Sequence, residues 1–149
     1  MAQNVSVERF RKLTDDLKRQ VHEEAVKELN RQAVILKEAI EGIAPIYQGP
    51  AIAGVTPGAL KHSVNVRPGS KDTVVRVVAG GQLTTRPSVS SNPYDYARAD
   101  EFGTVNMKAQ PFFFPTYRLM KKRIIAAMKR RIAKNIKQYS AESTGIENV

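Results

Sequence analysis

The sequence predicts an α+β fold in which a long N-terminal helix and a basic C-terminal helix pack on a small antiparallel sheet of three to four strands. Three observations predict it. Apolar residues recur every three or four positions over 7–43, two β-branched segments flank a turn within 63–78, and a second helical period runs over 117–139. At 149 residues the chain suits a single domain, 1–149, able to bury about 70% of the surface its unfolded form would expose.

The first helix is expected over 6–43. Val7, Phe10, Leu13, Leu17, Val21, Ala25, Leu29, Ala33, Leu36, Ile40 and Ile43 share the 3.6-residue period. Ser6 is placed to cap its start, and Gly42 with Pro45 to end it. Pairs such as Asp15 with Arg19 and Glu23 with Lys27 stand at i,i+4. At 1.5 Å per residue such a helix spans about 50 Å, roughly twice the width of a compact domain, so part of it must bend, project or pack on another subunit.

Pro, Gly and small apolar residues over 45–57 read as an irregular connection, after which Thr56 and Pro57 suit a cap and first position of one or two helical turns. The sheet is expected over 64–104. Segments 63–67 and 73–78 form a hairpin around 68–72, and Gly80-Gly81 stops its second strand. Residues 82–93, rich in Ser, Thr and Pro, read as a long flexible loop, with a third strand following over 94–104. The second long helix is expected over 115–139, opened by Pro115, and the tail over 140–149 is expected to be mobile.

The net charge of +10 is concentrated. Residues 1–103 hold 14 basic and 12 acidic side chains, 104–141 hold ten basic and no acidic ones, and 142–149 hold two acidic ones. On a helical projection Arg118, Lys122, Arg123, Lys129, Arg130, Lys134 and Lys137 share one arc of the second long helix. Lys121 and Arg131 fall among its apolar positions and must snorkel or meet a partner. The basic arc suits nonspecific contact with DNA phosphate, or an acidic protein surface. A membrane-surface role ranks last because the apolar arc is needed to close the core.

Catalytic chemistry has little support. With no Cys, and His22 and His62 on separate elements, no metal-ligand spacing exists and no cofactor is expected. Asp100 and Glu101 are adjacent, so on a strand they point to opposite faces instead of forming a dyad. No nucleophile elbow, phosphate-cradling loop or dinucleotide fingerprint occurs, and no enzyme is expected. Charge appears within the first eight residues and no apolar run reaches membrane-spanning length, so the chain reads as soluble, unprocessed and without a membrane partner.

Three clusters carry a resemblance. Tyr96-Ala97 followed by Glu101-Phe102-Gly103-Thr104, then Pro111-Phe112 with Pro115, and upstream Gly58-x-Leu60-x-x-Ser63, are similar in identity and order to motifs of the tail-completion or head–tail joining (minor tail component) proteins of long-tailed, lambdoid-type phages. Pro57, Asp100 and Phe114 depart from that family's usual Thr, apolar and basic residues. The resemblance implies a structural virion protein of the neck, assembled in the host cytoplasm. It further implies a homo-oligomeric ring, a hexamer, between the head-side connector or adaptor proteins and the tail tube or tail terminator protein, with DNA passing through its channel. A cellular helical adaptor that forms no ring is the non-viral alternative.

Read physically, most of these motif residues maintain the fold. Phe102 is expected to enter the core from a strand end, with Gly103 making a tight turn. Pro111 and Pro115 would fix the direction in which the last helix leaves the sheet. Within the loop, Thr84, Thr85, Arg86, Ser88 and Ser90 are the candidate inter-subunit contacts.

Overall fold

The computed structural model describes residues 2–49, 55–87 and 92–145, with side chains described from Val7 to Glu142 within those segments. In order, the elements are α1 (Ala2–Ile43), α2 (Ala59–His62), β1 (Asn65–Pro68), β2 (Val75–Val78), β3 (Thr85–Arg86), β4 (Tyr94–Asp95), α3 (Tyr96–Phe102) and α4 (Phe113–Gly145). This is an α+β chain with a long helix at either end. Its strands form two separate two-stranded antiparallel sheets, β1–β2 and β3–β4, instead of one sheet of three or four strands.

The chain forms two compact units. One comprises Met1–Asn30 and Arg123–Val149, and the other Arg31–Lys122. Both long helices therefore contribute residues to each unit.

In the first unit, the N-terminal part of α1 and the C-terminal part of α4 run antiparallel. Two contacts fix the pairing. Arg131 donates to the Glu24 carboxylate at 3.0 Å through Nε and at 2.5 Å through its terminal nitrogen, and the Tyr139 hydroxyl donates to the Leu13 carbonyl at 2.8 Å. The apolar residues along this seam, including Leu17, Val21, Ile124, Met128 and Ile132, are only half-buried. Two helices alone cannot enclose a core.

The second unit has a closed interior, to which Leu36 and Ile40 of α1, Leu60, Val64, Ala97 and Phe112 contribute. The β1–β2 hairpin is in the expected place, with Asn65 opposite Val78 and Pro68 opposite Val75. Its turn is closed by the Gly69 N–H to the Val74 carbonyl at 2.8 Å.

Several local expectations change. α1 begins at Ala2 instead of Ser6, whose side chain lies outside the described set, and Gly42 stays within the helix. Its surface ion pairs form mostly at i,i+3: Asp15 with Lys18, Asp16 with Arg19 and Glu24 with Lys27. Thr56 does not cap α2 through its side chain. Its carbonyl instead accepts the Ala59 N–H at 3.0 Å across Pro57 and Gly58, and Gly58 at φ 80°, ψ −3° is the left-handed third residue of a type II turn. α4 starts two residues before Pro115 and continues to Gly145, into the stretch expected to be a mobile tail.

The largest change lies over 94–104. Only Tyr94 and Asp95 are strand, and Tyr96–Phe102 is helical. Asp95 supplies the reason, because its carboxylate accepts the Ala97 N–H at 2.9 Å and caps the first turn. β3 pairs with β4 through Thr85 opposite Asp95 and Arg86 opposite Tyr94, and the carbonyl of Thr84, just before the ladder, accepts the Tyr96 N–H at 3.1 Å, so this part of the expected flexible loop is strand and its lead-in. Ser88 and Ser90 lie outside the described residues.

Candidate interaction surface

The residues of the two principal motifs meet at the entry to α4. Glu101 is buried, with 8% of its surface exposed. One carboxylate oxygen accepts the backbone N–H groups of Phe112 at 2.8 Å and Phe113 at 2.9 Å, and the other accepts that of Phe114 at 3.0 Å. The first turn of a helix leaves its N–H groups without intrahelical partners and carries partial positive charge. A carboxylate answers both needs. Pro115 brings no N–H, so the donors of this turn are fully accounted for.

The adjacent backbone completes the corner. The Gly103 N–H donates to the Ala99 carbonyl at 2.7 Å, Thr104 and Met107 exchange backbone hydrogen bonds, and the Gln110 N–H donates to the Asp100 carbonyl at 2.7 Å. Gly103 has φ 76° and ψ 175°, and a Cβ there would stand 2.9 Å from the Ala109 nitrogen. Both conformation and space demand glycine. Phe112 fills the core beside this corner at 2% exposure. The short helix reverses the expected roles of the Glu-Phe pair: Glu101 is inside, whereas Phe102 is 63% exposed.

The upstream motif is also structural. Leu60 is buried, and the Ser63 hydroxyl donates to the Leu60 carbonyl at 2.7 Å while accepting the Gly80 N–H at 2.9 Å. It thereby ties the end of α2 to the end of β2. Asp95, not singled out in the sequence, is a second tie. Besides capping α3 it accepts the Gly81 N–H and the Thr84 hydroxyl, each at 2.6 Å. Its position before Tyr-Ala-Arg-Ala was the available signal, since Asp favours the N-cap.

Beside this frame a cleft of about 560 Å³ opens, with Tyr47, Arg86, Tyr96, Asp100 and Gln110 on its wall. The Arg86 guanidinium lies 4.3 Å from the centre of the Tyr96 ring, an arrangement that favours cation–π attraction. Burial pushes the Asp100 carboxyl above its ordinary value, against the opposing pull of Arg86. Burial also raises the Tyr96 phenol, with Arg86 again opposing. The arrangement is a guanidinium over an aromatic ring with a partly buried carboxyl nearby.

The outward surfaces differ between units. In the first, Val7, Phe10 and Leu13 of α1 and Ile125 and Ile136 of α4 are exposed. In the second, Phe102 and Phe114 are exposed with ring centroids 5.8 Å apart, alongside Val105 and Leu119. A groove of about 220 Å³, bordered by Ala79, Arg98 and Phe102, flanks the aromatic pair.

All seven arc residues of α4, Arg118, Lys122, Arg123, Lys129, Arg130, Lys134 and Lys137, are exposed, and none has an ion-pair partner among the described residues. Of the two cations in the apolar arc, Arg131 meets Glu24, while Lys121 reaches solvent. The Glu24 carboxyl is held below its ordinary value by hydrogen bonds from Lys27 and Arg131, and Lys27 is raised in return.

Among the described residues no group of three or more His, Cys, Asp or Glu is placed to hold a metal ion, and no helix is long and apolar enough to cross a membrane. No protein-family model, curated protein or solved structure matches the chain.

Proposed function

We propose that the protein is a structural component of a phage neck, a tail-completion or head–tail connector subunit that assembles as a ring between the head connector and the tail tube. Its work is assembly and not catalysis. The supporting observation is the helix pair of the first unit, which has no fully buried apolar side chain among its described residues and exposes Val7, Phe10, Leu13, Ile125 and Ile136. An apolar stripe of this kind is satisfied by further helices, as two hairpins satisfy each other in a bundle. The exposed Phe102–Phe114 pair gives the second unit a contact surface of its own. Two unlike patches on one chain suit head-to-tail contacts, which close into a ring when the rotation between copies permits.

The motif residues support the reading in another way. They build the corner that sets where α4 leaves α3, and that corner holds Phe102 of α3 beside Phe114 of α4 in the exposed aromatic pair. The partners in this reading are copies of the same chain, the head-side adaptor and the tail tube or its terminator, in a virion neck put together in the host cytoplasm.

Native mass spectrometry of the purified chain, alone and with neighbouring neck proteins, tests the proposal. A closed oligomer in either mixture supports it, and electron microscopy of particles should place it at the neck. A chain that stays monomeric with every neck partner, and whose F10S/I136S variant is incorporated normally into particles, would overturn it.

A further inference from the structure

Four of the unpaired cations form a straight strip. Arg123, Arg130 and Lys137 stand at successive intervals of seven, with Lys134 between the last two, so on a helix all four fall within about 60° of one another. The strip runs for about 21 Å along α4 and lies entirely in the first unit. Tyr139, which contacts α1, lies on the opposite side of the helix, and Arg131, which meets Glu24, flanks the strip about 60° beyond Lys134. The side chains nearest the strip between its cations are Ala126, Ala127 and Ala133. No acidic residue occurs anywhere over 104–141.

We infer that the strip of Arg123, Arg130, Lys134 and Lys137 binds the phosphodiester backbone of a nucleic-acid duplex without reading its bases. Protein interfaces draw their energy from apolar and aromatic anchors, and this face has none. Small alanines between long cations instead let a polyanion approach the helix closely. About 21 Å of duplex presents roughly six phosphates per strand, ample for four cations. No Asn, Gln or aromatic side chain falls between the four cations, so adenine has no bidentate amide to read it, and any guanine reading by Arg123 or Arg130 shows as a preference between two unrelated duplexes. The inference needs only this face and stands independently of the neck reading.

The test uses the full-length chain with two unrelated fluorescein-labelled duplexes of about 30 base pairs, followed by anisotropy from about 50 mM salt upward. Both duplexes should bind equally at low salt, with affinity falling on a log–log slope near −4. R123A/R130A/K134A/K137A should lose at least tenfold in affinity and most of that slope. A charge-matched control, K61A/R67A/K71A/R76A, should retain the slope. If circular dichroism shows the fourfold variant unfolded, two milder variants decide: K134A should reduce the slope by about one, and R123K/R130K should preserve it. Absence of binding at about 50 mM salt overturns the inference. So does an equal loss in the control, a tenfold preference between duplexes, or poly-glutamate competing as well as duplex at equal charge, which would assign the strip to an acidic protein. Ring formation, read separately by native mass spectrometry, is expected to survive the fourfold substitution, so either idea can fail alone.

Discussion

The carboxylate of Glu101 receives the backbone N–H of Phe112 at 2.8 Å and, with its remaining valence, the next two N–H groups of the chain. A single side chain from α3 thus satisfies the whole free N-terminus of α4. Removing it strands three donors in a buried corner. Glu101→Ala should cost about 2–4 kcal/mol of stability in urea denaturation, and Glu101→Gln, which keeps one acceptor oxygen but turns an amide donor toward the same groups, somewhat less. An unchanged midpoint for both would mean that the corner is held by Phe112 packing alone.

Gly103→Ala should destabilise by about 1–3 kcal/mol, since an L-residue is strained at φ 76° and its methyl meets the Ala109 nitrogen. The contrast is Gly42→Ala, in a helical position with open space around it, which should be neutral or slightly stabilising. Thermal melts of the two variants side by side check both.

Asp100 should show a pH signature. Burial raises its folded-state pKa above the unfolded value, so the native state binds the proton more tightly. The burden is absent below the unfolded pKa, where both states are protonated. It grows as pH rises through the interval and is full above the folded pKa. Asp100→Asn should therefore raise the melting temperature at pH 7 and lose that advantage near pH 3. Equal advantage at both pH values would sink the desolvation account.

The aromatic pair offers a separation of stability from assembly. Phe102→Ser and Phe114→Ser remove exposed surface, so each should change stability by less than about 1 kcal/mol. In the neck reading their double variant folds but fails to join particles, as monitored by sedimentation of assembled and free chain. Normal incorporation would remove this patch from the interface.

Glu24 and Arg131 link helix segments 107 residues apart, and both belong to a partly solvated seam. A double-mutant cycle with Glu24→Gln and Arg131→Gln should give a favourable coupling at low salt that shrinks toward zero near 1 M salt.

Much of this architecture was legible in the sequence, and what was missed has an identifiable cause. Both long helices follow from a 3.6-residue apolar period repeated many times, and the hairpin from alternation around Pro-Gly. Of the two cations out of place on the apolar arc, expected to snorkel or meet a partner, Arg131 meets Glu24 and Lys121 reaches solvent. The strand expected over 94–104 is mostly helix: Tyr-Ala-Arg-Ala-Asp-Glu-Phe is too short to display a period, and the side-chain cap at Asp95 decides its conformation. Once that segment is helical, positions 101 and 102 differ by about 100° in direction, and Glu101 turns inward. The burial of a carboxylate depended on donors eleven to thirteen residues away, which no local pattern encodes. Likewise Thr84 became a core residue only because β3 and β4 pair across a segment whose composition suggested a loop.

The spacing of the Glu101 contacts also bears on the order in which the chain folds. The corner closes a loop of only about a dozen residues, an event of roughly 10–100 ns, whereas the Leu13–Tyr139 contact must bring together groups 126 residues apart. The α3–α4 corner can therefore form early, while the distal part of α4 still lacks its companion. During that interval the apolar side of α4 is open to any helix that arrives first, whether from its own chain or from another copy.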